Sequence, residues 1–121
     1  MNGINEQVVD AFIHALENGS VSGVIACYAP DARIWHNFDQ IAMTSAESVA
    51  SLETLFNNFV SRKYVEVRRH AARHALVQQH VLRLKTEEGR TIDWPGCIVF
   101  GFEDNLISRV DEYVDLASLA K

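Results

Sequence analysis

Apolar positions follow two regimes along this chain. Up to about residue 60 they recur at three- and four-residue spacing, and beyond it they alternate with polar ones. Val8, Val9, Phe12, Ile13 and Leu16 mark one face of a first helix. Asn18-Gly19 supplies residues that tolerate the left-handed backbone of a helix C-cap. Ser20 or Ser22 can N-cap a second, shorter helix carrying Val24, Ile25 and Tyr28, and Pro30 is expected to end it. Arg33 to His36 reads as a short strand. Thr44 and Glu47 have the spacing of a capping box, in which each side chain satisfies an early amide of the helix. That helix presents Val49, Leu52, Phe56 and Phe59 on one face.

After Arg62 the period becomes two. Val65 and Val67 alternate with charged residues, and Ala75 to Leu84 continues in strand character. Glu87-Glu88-Gly89 turns the chain. Thr91 to Phe102 is β-branched and aromatic, with Pro95 inside it, where a bulge or an edge is expected. Glu103-Asp104-Asn105 turns again, and Leu106 to Val114 forms the last strand. Asp115 can N-cap a final helical turn from Leu116 to Ala120. Helices first and a meander afterwards predict one α+β domain over residues 1–121. Its helices would pack on one face of a mainly antiparallel sheet.

Composition narrows the classes. With 48% hydrophobic residues the 121-residue chain can bury a proper core, which excludes disorder. No apolar run approaches the ~20 residues of a membrane span. Met1-Asn2-Gly3-Ile4-Asn5 has no charged region followed by an apolar stretch, so no signal peptide is expected. A formal charge of −5 argues against general nucleic-acid or anionic-membrane partners. Cys27 and Cys97 sit in apolar segments and read as buried free thiols, which fits a reducing cytoplasm. Arg62, Lys63, Arg68, Arg69 and Arg73 form a basic cluster in this acidic chain. It reads either as an anion site or, in better accord with the charge pattern, as a solvated strand edge protected by charge.

Two segments carry a family resemblance. "VVDAFIHALENGSVSGVIACYAPDARIWHN" and "NLISRVDEYVDLASLA" resemble the opening and the closing of the nuclear transport factor 2-like superfamily. That group includes ketosteroid isomerases, limonene epoxide hydrolases and SnoaL-like polyketide cyclases. The resemblance implies a cone-shaped roll. In it three N-terminal helices pack on a curved sheet, with a pocket at the open end. At the position of the steroid isomerase base stands His36. Where those enzymes place a Tyr donor stands Phe12, and the protonated Asp position falls on Cys97 or Ile98. Removing one such donor typically costs about 3 kcal/mol of barrier, so steroid isomerase activity is not expected. Glu112 matches an Asp of the epoxide hydrolase set, but its Arg-x-Asp partner would fall near Val81-Leu82-Arg83 and is incomplete. The cyclase class, with an Asp acid/base and helping polar groups, leaves room for His80 and Asp93.

The candidate chemistry follows. His36 is a general base candidate, the structural alternative being an imidazole bonded to Asn37 or a backbone carbonyl. His80 shares a strand face with Gln78, Leu82 and Leu84 and is either a pocket group or a satisfied core imidazole. Glu112 lies between Val110 and Val114 on one face, where a carboxylate needs a partner such as His36 or His80. Phe12, Leu16, Asn37, Phe56, Phe59, Asp93, Cys97, Val110 and Val114 are expected to contact a small hydrophobic ligand. Asp31 and Asp115 fit turn and cap roles, and Tyr113 fits packing. His70 and His74 have two-ligand spacing without the further ligands a metal requires, so no metal or other cofactor is expected. The expected function is cofactor-free acid–base chemistry on a small carbonyl- or hydroxyl-bearing molecule. The rival readings are a non-catalytic binding module for an apolar metabolite and a purely structural dimerisation domain. An apolar outer sheet face that includes Val65 and Val67 predicts a homodimer.

Overall fold

The computed structural model describes residues 3–116, so the expected final turn of helix falls almost wholly outside it. Helix α1 spans Ile4–Glu17 and α2 spans Val21–Ile25. Strands β1 (Tyr28–His36) and β2 (Ala42–Thr44) come next, and only then α3 (Ser45–Asn58). Strands β3 (Ser61–Ala71), β4 (Ala75–Lys85), β5 (Thr91–Glu103) and β6 (Leu106–Val114) complete the chain. The expected order of helices before strands is therefore corrected, because two strands precede α3. Six strands form one sheet in the order β2-β1-β6-β5-β4-β3. Only the β1–β6 pair is parallel.

Local chemistry explains most boundaries. Gly19 takes φ +67°, and Ser20 N–H then reaches back to the Ala15 carbonyl at 2.9 Å, closing α1. Of the two cap candidates, Ser20 is the one used: its hydroxyl accepts from Gly23 N–H at 3.0 Å. The Thr44–Glu47 capping box forms in both directions, at 2.9 and 3.1 Å. Tyr28 does not belong to the second helix. That helix stops at Ile25, and Pro30 lies within β1. The β1–β6 register shifts between Tyr28 and Arg33, so the proline occupies an irregular stretch where a missing N–H removes no regular ladder bond.

Pro95 also differs from expectation. It pairs with Val81 in an unbroken β4–β5 ladder. Its carbonyl accepts from Asp115 N–H at 2.9 Å. A residue's N–H and C=O point the same way in a strand, so the missing donor faces β6 just past that strand's end. The β5–β6 bulge falls instead at Gly101/Phe102, and a third irregularity lies between Val65 and Arg68 in β3. Such bulges bend a sheet, here around α1 and α3.

The basic cluster proves to be three different things. Lys63, Arg68 and Arg73 are exposed on or beside β3, the edge strand, as charge protection requires. Arg69 turns inward to Glu6 and Asp10 of α1. Arg62 is buried, with 8% of its surface exposed, and binds backbone carbonyls. The main core gathers Val9, Phe12 and Leu16 against Ile34, Ile98, Phe100 and Val110. A smaller one gathers Leu82, Leu84 and Ile92 beside Phe59 and Trp94. No helix among the described residues is long and apolar enough to cross a membrane.

Candidate active site

Strand register assembles the site. Arg69 (β3), Gln78 (β4), Ile98 (β5), Glu112 (β6) and His36 (β1) are successive cross-strand partners. One transverse row therefore crosses five strands on a single face, because side chains at paired positions point the same way. At one end of it, His36 Nε2 lies 3.0 Å from Glu112 Oε1, and each side chain keeps 17% exposure. Both groups line a cavity of about 290 Å³. Phe12 and Leu16 of α1, Leu52 and Leu55 of α3, Phe59 at the C-cap of α3, and Leu82, Val110 and Val114 of the sheet supply most of its apolar wall.

The pair's electrostatics are set by two opposing effects. Burial pulls the His36 imidazole down, while the hydrogen bond and charge of Glu112, helped by Asp39, push it up and prevail. Phe38 lies beside the imidazole with ring centroids 5.1 Å apart and is itself half exposed at the cavity. A raised imidazole bonded to a carboxylate can pass a proton in either direction near neutral pH.

Two phenols face the same space and escape a reading of the sequence. Tyr28 and Tyr64 both line the cavity. Burial raises each of them well above the usual tyrosine range, and the charge of Glu112 adds to this. Both are therefore neutral hydrogen-bond donors at physiological pH. No hydrogen bond to either phenolic oxygen forms among the described residues. Tyr28 was obscured by its apparent helical spacing, and Tyr64 by the surrounding basic residues. Alternation from Arg62 to Tyr64 was the available signal. Trp94 is a third wall residue, packed edge-on against Phe59 at 5.8 Å. Its buried indole nitrogen has no partner among the described residues.

Several expected contacts lie elsewhere. Asn37 is absorbed by the backbone: its Oδ1 accepts from Val114 N–H at 3.0 Å, and its own N–H donates to the Glu112 carbonyl. It zips β1 to the end of β6 and so fixes the neighbouring His36. Phe56 packs under the Arg62 guanidinium, 4.8 Å from ring centroid to Cζ, and is not in the cavity wall. Asp93 forms a two-oxygen contact with Arg83 at 2.9 and 3.1 Å, where both side chains are substantially exposed. Cys97 points to the opposite sheet face from Ile98, which is buried in the cavity wall, so strand alternation settles that open pair. His80 is buried on the inner face but stands one layer back, with the Tyr64 ring edge-on against it at 4.8 Å. No three His, Cys, Asp or Glu side chains converge among the described residues to hold a metal.

The comparisons with known proteins bear on this geometry. Residues 9–110 match the model of the SnoaL-like domain. The chain belongs to that family. No curated protein matches its sequence. Among solved structures, a proposed polyketide cyclase from Xanthomonas campestris is 18% identical. It superposes with a TM-score of 0.84 over 98% of this chain and 95% of its own. A nuclear transport factor 2-like protein of unknown function from Burkholderia pseudomallei is also 18% identical, with a TM-score of 0.83 over 97% and 95%. An epoxide hydrolase from M. tuberculosis, described as similar to the limonene type, shares 18% identity. Its TM-score is 0.79 over 97% of this chain and 86% of its own. At such identities the likeness shows a shared fold alone, and chemistry has to be argued from the site.

Proposed function

We propose that this SnoaL-like domain is a cofactor-free acid–base catalyst of cyclase, isomerase or hydrolase type. Its substrate would be a small, mostly apolar molecule bearing a carbonyl or hydroxyl group. The observation that carries the reading is the His36–Glu112 pair, 3.0 Å apart on the wall of a mostly apolar cavity. Burying a carboxylate and an imidazole in such a wall is costly unless they are used or tightly paired. His36 takes and returns the proton, and Glu112 stabilises the imidazolium that forms. Tyr28 and Tyr64 are neutral donors for an oxygen that gains negative charge, which offsets the absence of donors at Phe12 and Ile98. Phe59, Leu16 and Val114 hold the apolar body of the ligand.

The alternative is a binding module that stores or senses an apolar metabolite. The unpolarised positions Phe12 and Ile98 favour it. Deuterium exchange separates the two readings. Small cyclic and aromatic ketones incubated with the protein in D₂O are expected to gain deuterium at the carbon next to the carbonyl, well above a protein-free control. Ketones that bind and are recovered without deuterium would establish the binding module instead.

A second copy of the chain is proposed to cover the outer sheet face. Val65, Val77, Val81 and Val99 are half-buried there, and Tyr113 is 49% exposed beside Trp35. The helices lie on the other face. Sedimentation at micromolar concentration is expected to give twice the 13.6 kDa chain mass. A 13.6 kDa species would refute the dimer.

A further inference from the structure

Beside Gln78, two residues along β4 from the transverse row, stands a second imidazole that the proposed chemistry leaves unused. His80 is 5% exposed, and its Nδ1 lies 2.9 Å from Gln78 Nε2. Gln78 is fully buried. Its other amide atom, Oε1, accepts from Arg69 Nε at 2.9 Å. Arg69 in turn is anchored by Glu6 and Asp10 of α1.

These contacts leave one arrangement of protons. A guanidinium only donates, so the amide oxygen must face Arg69. Rotating the amide would set its NH₂ against N–H groups in a buried space. The NH₂ therefore faces His80, and since NH₂ also only donates, Nδ1 must be the acceptor. The imidazole proton then sits on Nε2, next to Gly96. A Cβ built on Gly96 would come within 3.3 Å of that nitrogen, a tight contact to which the ring would have to yield by a few tenths of an ångström. To become charged, His80 would need a proton on Nδ1, which the amide NH₂ blocks.

We infer that Arg69 and Gln78 lock His80 as a neutral imidazole protonated on Nε2. His80 thereby becomes a positioning support for the Tyr64 ring, and proton exchange at the site is confined to His36 and Glu112. The groups facing it are Tyr64 and, through Gln78, Arg69 from β3, the charge of Glu112 from β6, and uncharged Gly96 from β5. Burial lowers its basicity, and Glu112 opposes this only in part. The inference holds whether or not the cavity is catalytic.

Two-bond proton–nitrogen NMR of histidine-labelled protein reads the tautomer directly. Wild type is expected to show His80 with a bare Nδ1 and a protonated Nε2, still neutral at the ordinary midpoint of about pH 6.5. Gln78→Glu replaces the amide donor by an acceptor and is expected to switch the signal to protonated Nδ1. Arg69→Met, at the outer end of the relay, frees the amide to rotate and is expected to give a mixture. It also serves if Gln78→Glu does not fold. A protonated Nδ1 in wild type, or an unchanged pattern in both variants, would overturn the lock.

Discussion

Glu112→Gln is expected to slow deuterium exchange into a bound ketone by about 10²–10⁴-fold, the usual worth of a positioned acid–base group. The amide keeps the volume and can still hydrogen-bond to His36, but it brings no charge. Burial, which pulls His36 down, would then meet only the weaker opposition of Asp39. The His36 titration should therefore fall from above its ordinary midpoint of about 6.5 to below it. Adding His36→Ala to Glu112→Gln should cost little more than either change alone, because groups that act as a unit are not additive.

The same pair makes stability depend on pH with a definite sign. In the folded protein His36 binds its proton more tightly than in the unfolded chain. Its contribution is therefore fully present below about pH 6.5 and is lost as pH rises through the raised folded value. His80, lowered by burial, acts oppositely and destabilises as pH falls below the same point. Removing the Glu112 charge lowers His80 further, so in Glu112→Gln both imidazoles disfavour the acid side, and each contributes to the gap from wild type with the same sign. The gap between their urea midpoints should be wide near pH 6 and narrow near pH 8. Equal gaps at both would mean that the two groups share no proton, and equal exchange rates would remove Glu112 from the chemistry.

What could be seen in the sequence depended on whether the signal was local. The capping box at Thr44 and Glu47 and the alternation through β4 are properties of neighbouring residues, and both appear where expected. The His36–Glu112 contact joins residues 76 positions apart, and it was reachable only because a carboxylate between two valines needs a partner. Tyr28 was missed because Val24, Ile25 and Tyr28 keep helical spacing across a turn that ends the helix. Tyr64 was missed because basic neighbours suggested a solvated strand. Phe56 and Asp93 shared the right segments with pocket residues, but the exact rotation of a helix and the partner of a strand residue are tertiary facts. Asn37 was named as a ligand contact, yet its amide continues the β-ladder, a role visible only once β6 is alongside.

Arg62→Met is expected to destabilise the protein by about 3 kcal/mol, one of the largest single-residue effects available to a chain of this size. Its guanidinium ties together three elements. Nε donates to the Leu16 carbonyl at 2.9 Å, one terminal nitrogen to Phe59 at 2.7 Å, and the other to Glu17 at 3.4 Å. Leu16 and Glu17 lie in the last turn of α1, and Phe59 is the C-cap of α3, so none of the three carbonyls has the usual helical partner four residues on, although Leu16 also accepts from Gly19 N–H at 3.2 Å. They also carry the negative ends of two helix dipoles, which favour a cation. Methionine fills the space but takes the donor away from the Glu17 and Phe59 carbonyls and leaves Leu16 only its bond from Gly19 N–H. Part of the loss is returned because a desolvated guanidinium disappears, burial having already weakened its hold on its proton. Arg62→Lys should recover little, since one ammonium cannot reproduce a planar fork serving three carbonyls. Urea unfolding measures both variants, and an unchanged midpoint for Arg62→Met would show that the tie is not structural. Leu16 and Phe59 both line the cavity, so the residue that first looked like surface charge fixes two of its walls from behind.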